Sequence, residues 1–268
     1  MTDLLVRKHT PDAKGVVLEV TPASAGWDHV GFKVVELAAG QTATGGEGGR
    51  EACLVVLCGT ADITVGGQTF AGLGGRASVF EDRAPGAAYA PGGAAWSVTA
   101  RTPIELAVCT APASGQGAPR EIAASDMSRE VRGKGTNVRH VRNILPETEA
   151  AESLLVVEVI TPGGNWSSYP PHKHDTATAG EETQLEETYY HRLNPPQGFA
   201  FQRVYTDDRS LDQTMAVEDG DVVMVPRGYH PVGAPHGYDL YYLNVMAGPK
   251  RQWIFRNDPA HDWIARKA

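Results

Sequence analysis

Hydrophobic positions in this chain come in short runs, and the 3.6-residue spacing of an amphipathic helix is scarce. In the first half the strand-like runs are residues 15–20, 29–37, 52–58, 60–65 and 104–110. In the second half they are 154–160, 187–192, 199–206, 214–217, 222–225 and 238–246. Gly, Pro, Asp or Asn clusters separate them at short intervals, which predicts an all-β sandwich or barrel. Helix is expected in two stretches only, 146–154 and 258–268, the second after Asn257-Asp258-Pro259.

Polar chemistry concentrates in the second half. In Pro170-Pro171-His172-Lys173-His174-Asp175 two imidazoles stand two positions apart, so on a strand they share a face while Lys173 points away as a structural residue. Glu186 and Glu187 follow, opening the run Glu187-Thr188-Tyr189-Tyr190-His191. A Gly220-Asp221 turn, an apolar strand and the turn Val225-Pro226-Arg227-Gly228 then lead to His230. A His-x-His pair alone fits surface or hydrogen-bonded imidazoles as well as it fits a metal. With Glu187 and His230 in this order, the pattern resembles the two-part signature of a metal-binding cupin barrel. The expected ligands are His172, His174, Glu187 and His230. Glu186 and Glu187 alternate across a strand, so one of them faces the metal, and Glu187 is favoured; Tyr189 and His191 then share its face. His236 competes with His230, which is favoured because it emerges directly from the turn. Nitrogen and oxygen donors without thiolate suit Zn, Mn, Fe, Co or Ni. Residues 175–183 exceed the usual cupin spacing and are expected to bulge as a loop at the barrel mouth.

A weak echo sits in the first half. Glu51-Ala52-Cys53-Leu54-Val55-Val56-Leu57-Cys58-Gly59 resembles the glutamate-bearing strand of a cupin, and residues 74–91 resemble its second half-motif. No histidine lies between His29 and His140, whereas six of the nine follow Ile160. The expected fold is therefore a bicupin, two jelly-roll-like β-barrels. Residues 1–111 form a metal-free barrel, 112–139 a connector, and 140–268 a metal-binding barrel. Gly133-Lys134-Gly135-Thr136 looks faintly like a phosphate loop, but the upstream glycine is missing and no Ser or Thr follows Lys134 directly, so it reads as connector.

Composition narrows the partners. The net charge of −8 argues against nucleic acid, although one local Arg or Lys suffices to capture a small anion. Cys53, Cys58 and Cys109 are odd in number and lack Cys-x-x-Cys spacing, so they are expected as small buried apolar residues in a reducing compartment. The N-terminus shows no signal peptide, and no apolar run approaches the ~20 residues of a membrane helix. A cytoplasmic protein without membrane or nucleic-acid partners is expected, and a homo-oligomer is compatible with these features.

The segments 167–175, 185–192, 194–206, 220–244 and 246–251 resemble the 5-deoxy-glucuronate isomerase family of myo-inositol catabolism, closely over the second half and loosely over the first. Related uronate ketol-isomerases share the two-cupin plan and a three-His, one-Glu metal site. The resemblance implies metal-dependent interconversion of 5-deoxy-D-glucuronate with 2-deoxy-5-keto-D-gluconate, acting on a small anionic sugar acid. His191, Tyr189 and Tyr205 are the expected proton-shuttle residues. Arg203 and Arg227 are expected on the substrate carboxylate, with Lys250 and Arg251 placed to close the site. Tyr241 and Tyr242 read as barrel wall. The competing readings are a cupin dioxygenase on the same ligand set and a non-catalytic sugar-binding bicupin.

Overall fold

The computed structural model describes residues 3–46 and 48–267. It is a bicupin of two compact β units that interleave along the sequence. Of the described residues, one comprises 8–128 with 143–156; the other comprises 3–7, 129–142 and 157–267.

The first unit is organised by one long strand. Residues 52–58 and 60–65, expected as separate strands, are continuous in Arg50–Val65, 16 residues long. Its first part pairs with Ile104–Pro112 and Gly86–Ala90, and its second part with Gln68–Arg76 and Trp96–Ala100. The change of partners falls at Gly59, whose φ of 81° suits glycine. A Cβ there would lie 2.2 Å from the Pro103 carbonyl oxygen. Leu54, Val56, Ile63, Val98, Leu106 and Val108 fill the interior. Cys53 and Cys109 lie opposite each other on adjacent strands, both buried, Cys58 is half-buried, and none of the three forms a disulfide among the described residues.

A seven-stranded sheet runs in the order Leu5–Val6, Val222–Val225, Glu186–Asn194, Asp239–Ala247, Leu155–Thr161, Arg139–Leu145 and Ser128–Arg132. A second sheet runs Trp166–Ser167, Val232–Gly233, Ala200–Tyr205 and Asp212–Val217. Their inner faces meet where His191 of the first sheet hydrogen-bonds Gln202 of the second at 2.9 Å.

Several expectations change. The division is not linear at 111 and 139. Leu5 and Val6 pair with Val223 and Val222, and residues 120–122 of the supposed connector form a strand against Gly86–Ala90. Residues 146–154 are not helical but turns and bends, because Glu51 takes the amides of Glu152, Ser153 and Leu154 out of any helical ladder. Of residues 258–268, the helix covers Trp263–Lys267. Residues 175–183 are a short hairpin, Asp175–Thr178 against Glu182–Gln184, rather than a loose loop. Among the described residues no helix is long and apolar enough to cross a membrane.

Candidate metal centre

His172 and Lys173 form a two-residue strand against Arg256–Asn257, and His174 follows directly. Glu187 lies near the start of the central strand Glu186–Asn194, paired on its two sides with Val225 and Met246. His230 leaves the turn after Val222–Val225. The coordinating atoms of His172, His174 and His230 lie within 4.8 Å of one another, and all three residues are buried. Glu187 approaches from the side of two of them. Its Oε2 is 3.2 Å from His174 Nε2 and 3.3 Å from His230 Nε2. Glu186 is only half-buried, so the alternation of the strand resolves in favour of Glu187.

The ring tautomers are set by carbonyls. His230 Nδ1 lies 2.9 Å from the Gly228 oxygen and His174 Nδ1 3.3 Å from the Leu185 oxygen. A carbonyl only accepts, so each Nδ1 carries the hydrogen and each Nε2 offers its lone pair inward. His174 Nε2, His230 Nε2 and Glu187 Oε2 are buried without hydrogen-bond partners. One such atom costs about 1–3 kcal/mol, and three converging on a common space with a third imidazole could hold a divalent cation. Burial pushes His172 well below its ordinary value and lowers His230 to about 4 despite the opposing charge of Glu187. Burial also disfavours the charged form of His174, but Glu187 more than offsets this and the net shift is upward. That pull toward a proton is the pull a cation would satisfy.

The hairpin behind the ligands is built on charge. Lys173 Nζ bonds Asp175 Oδ1 at 2.5 Å and Glu182 Oε1 at 3.2 Å, all three side chains being nearly inaccessible. Glu182 also accepts the amides of Asp175 and Thr176, at 2.8 and 3.0 Å. Lys173 is thus structural, as the alternation predicts.

Beyond the ligands, Tyr189 and His191 share the face of Glu187 and stack at 5.9 Å. The Tyr189 hydroxyl bonds Ser168 at 2.8 Å, and Tyr242 bonds Ser167. Gln202 donates through Nε2 to the His230 carbonyl at 3.3 Å, which turns its Oε1 to His191 Nε2. His191 Nε2 therefore carries the hydrogen, and its Nδ1 is a buried lone pair without a partner. Burial lowers His191 to about 4, and it raises Tyr189 well above 10.

Known proteins resemble this chain over nearly its whole length. The KduI/IolB family matches residues 4–264. The chain belongs to the KduI/IolB family. A relative named 5-deoxy-glucuronate isomerase from Geobacillus kaustophilus is 54% identical over 264 residues, covering 98% of this chain and 96% of that one. Another of the same name from Bacillus subtilis strain 168 is 50% identical, covering 94% and 93%. The crystal structure of an IolB-like protein from Salmonella typhimurium LT2 superposes with a TM-score of 0.95 at 51% identity, covering 98% and 99%. Oxalate decarboxylase of Bacillus subtilis, at 14% identity and a TM-score of 0.66, shares the bicupin fold.

In this KduI/IolB chain the other expected site residues are not gathered at the His–Glu group. Arg203 lies on the outward side of Ala200–Tyr205, bound to Asp212 through Nε at 2.8 Å and Nη2 at 2.6 Å, because the strand's alternation turns Gln202 inward instead. The Tyr205 hydroxyl donates to Asp258 at 2.8 Å, and its ring lies under Arg203 and Arg209. Arg227 and Lys250 are exposed. Sequence reasoning missed Gln202 and Ser168. Gln202 was readable from the same alternation once His191 was placed; Ser168 carried no signal of its own.

Proposed function

We propose that this chain is a 5-deoxy-glucuronate isomerase, interconverting 5-deoxy-D-glucuronate and 2-deoxy-5-keto-D-gluconate in myo-inositol catabolism. The observation that carries the reading is a buried set of three imidazoles and one carboxylate in a chain more than half identical, over nearly its whole length, to relatives of that name. The reaction moves a carbonyl by one carbon, so a proton must leave C2 and one must arrive at C1. A divalent cation held by His172, His174, Glu187 and His230, drawn from Zn, Mn, Fe, Co or Ni, would supply charge stabilisation for the adjacent oxygens. The chain itself supplies the proton acceptor. His191 is neutral at pH 7, its Nε2–H is committed to Gln202, and its Nδ1 lone pair is uncommitted. Tyr189 keeps its proton and stacks on the imidazole, its hydroxyl sharing a hydrogen bond with Ser168. The partner implied is a small anionic sugar acid in the cytoplasm, with no nucleic acid and no membrane.

The test is incubation of metal-replete protein with 5-deoxy-D-glucuronate in D₂O, followed by NMR. Ketone with deuterium at the new hydroxymethyl carbon is the expected result. Ketone without deuterium retains the isomerase and replaces proton exchange by hydride transfer or a shielded proton. Absence of ketone, with oxygen uptake in its place, replaces the isomerase by a dioxygenase.

A further inference from the structure

With Arg203 bound to Asp212 on the outer face, the anionic end of an acidic substrate needs another cation. One is bonded to the segment that leads into His172. Arg139 opens the strand Arg139–Leu145, just after the 3-10 turn Gly135–Asn137. Its Nη1 donates to the carbonyls of Asn137 at 3.1 Å and Tyr169 at 3.4 Å. Asn165 Nδ2 donates to the Val138 carbonyl at 2.8 Å, so the turn is tied twice to residues 165–169. That segment leads directly into His172. It also carries Ser167 and Ser168, whose hydroxyls hold Tyr242 and Tyr189. The guanidinium is half-buried, yet among the described residues no carboxylate lies within ion-pair distance of it, and its Nε and Nη2 have no acceptor. A guanidinium withdrawn from water is ordinarily paired. Burial disfavours the charged form of Arg139, and Tyr242, Tyr189 and Glu130 lie close enough to oppose that shift.

We infer that Arg139 binds the carboxylate of the sugar acid through its free Nε–Nη2 edge, and so sets the preference for acids over neutral aldoses. This inference rests on the isomerase reading for the identity of the substrate. An Nε–Nη2 edge presents two parallel donors, the geometry that takes both oxygens of a carboxylate. The Nη1 bonds to Asn137 and Tyr169 hold the fork in place before the ligand arrives. Arg132 lies on the same side, over the Trp253 ring at 5.0 Å, but its Nη2 is bound to Glu130 at 2.7 Å, which leaves Arg139 as the anchor.

The experiment compares wild type, Arg139→Met and Arg139→Lys as metal-replete full-length chains. Each is assayed on 5-deoxy-D-glucuronate and on 5-deoxy-D-glucose, which bears a hydroxymethyl in place of the carboxylate. Metal content and far-ultraviolet circular dichroism verify that site and fold persist. For Arg139→Met the ratio of kcat/KM between acid and neutral sugar is expected to fall about 10- to 100-fold, chiefly through KM for the acid. Arg139→Lys, which keeps the charge and loses the fork, should fall between the two. An unchanged ratio, or equal losses on both sugars, overturns the assignment. Calorimetric binding of the two sugars to the same proteins separates the two levels of the argument. Wild type that turns over neither sugar removes the isomerase reading, and the acid-specific loss of binding in Arg139→Met then still decides the role of Arg139.

Discussion

Asp175 and His230 are joined through the backbone of Gly228. Asp175 Oδ2 accepts the Gly228 amide at 2.8 Å, and the Gly228 carbonyl accepts His230 Nδ1 at 2.9 Å. The other oxygen of Asp175 holds Lys173, which sits between two ligands. One half-buried carboxylate thus ties His172-Lys173-His174 to the turn that delivers the third imidazole. Groups that orient metal-bound histidines commonly matter about 10- to 100-fold for affinity.

Asp175→Ala is therefore expected to weaken divalent metal binding about 10-fold while leaving the β-fold in place. Competition of each protein with a metallochromic chelator measures this. An affinity equal to wild type would show that Gly228 holds its conformation without Asp175.

His174→Ala removes a ligand rather than its orientation. It should abolish stoichiometric metal retention and activity with far-ultraviolet circular dichroism little changed, since the imidazole makes a single backbone hydrogen bond. Metal analysis after gel filtration is the readout. Full activity from a protein with an empty site would remove the metal from the reaction.

His191 also makes a prediction about pH. Its folded value of about 4 lies below the ordinary value of 6.5, because burial disfavours the imidazolium. As pH falls below 6.5 the unfolded chain takes a proton that the folded chain refuses, so stability is lost until about pH 4, where the folded form also titrates. Between pH 7 and pH 5 this single group costs about 2 kcal/mol. His191→Phe should unfold with a pH dependence flatter by that amount in urea titrations at the two pH values. Its loss of the Gln202 bond is common to both pH values and cancels. Equal slopes for wild type and variant would mean that His191 is not buried as a neutral ring.

The proposed ligand tetrad was legible as a cluster because each member is fixed locally. His172 and His174 are two positions apart, Glu187 is chosen by alternation against Glu186, and His230 follows a turn. The proposed carboxylate anchor, Arg139, was not legible in the same way. Arg203 has the right chemistry, but strand register, not charge, decides its face, and register turned Gln202 inward. Arg139 is positioned by hydrogen bonds to Asn165 and Tyr169 at some thirty residues' remove, which no local pattern encodes. Strands Gln68–Arg76 and Gly86–Ala90 escaped notice because Gly and Ala give them little apolar bulk; pairing with Arg50–Val65 makes them strands. The helix expected at 146–154 failed against a single side chain, Glu51.

Glu51 sits where the first unit echoes the glutamate-bearing strand of the second, and it has a different task there. Its Oε1 accepts the amides of Ser153 and Leu154, each at 2.6 Å. Its Oε2 accepts the Glu152 amide at 2.8 Å and the Tyr89 hydroxyl at 2.5 Å. Four donors around one inaccessible carboxylate replace the cation that a metal-bearing copy would hold, and burial together with Glu51 makes the Tyr89 proton harder to remove. Glu51→Ala would strand those donors and should destabilise the protein by about 3 kcal/mol or more, whereas Tyr89→Phe should cost about 1 kcal/mol. The double variant should cost less than the sum, because each partner's penalty is partly the other left unpaired. Urea unfolding monitored by tryptophan fluorescence provides the three values. Strict additivity would mean that the Glu51 carboxylate and the Tyr89 hydroxyl do not depend on each other, and the anchoring role would then fall to the three backbone amides alone.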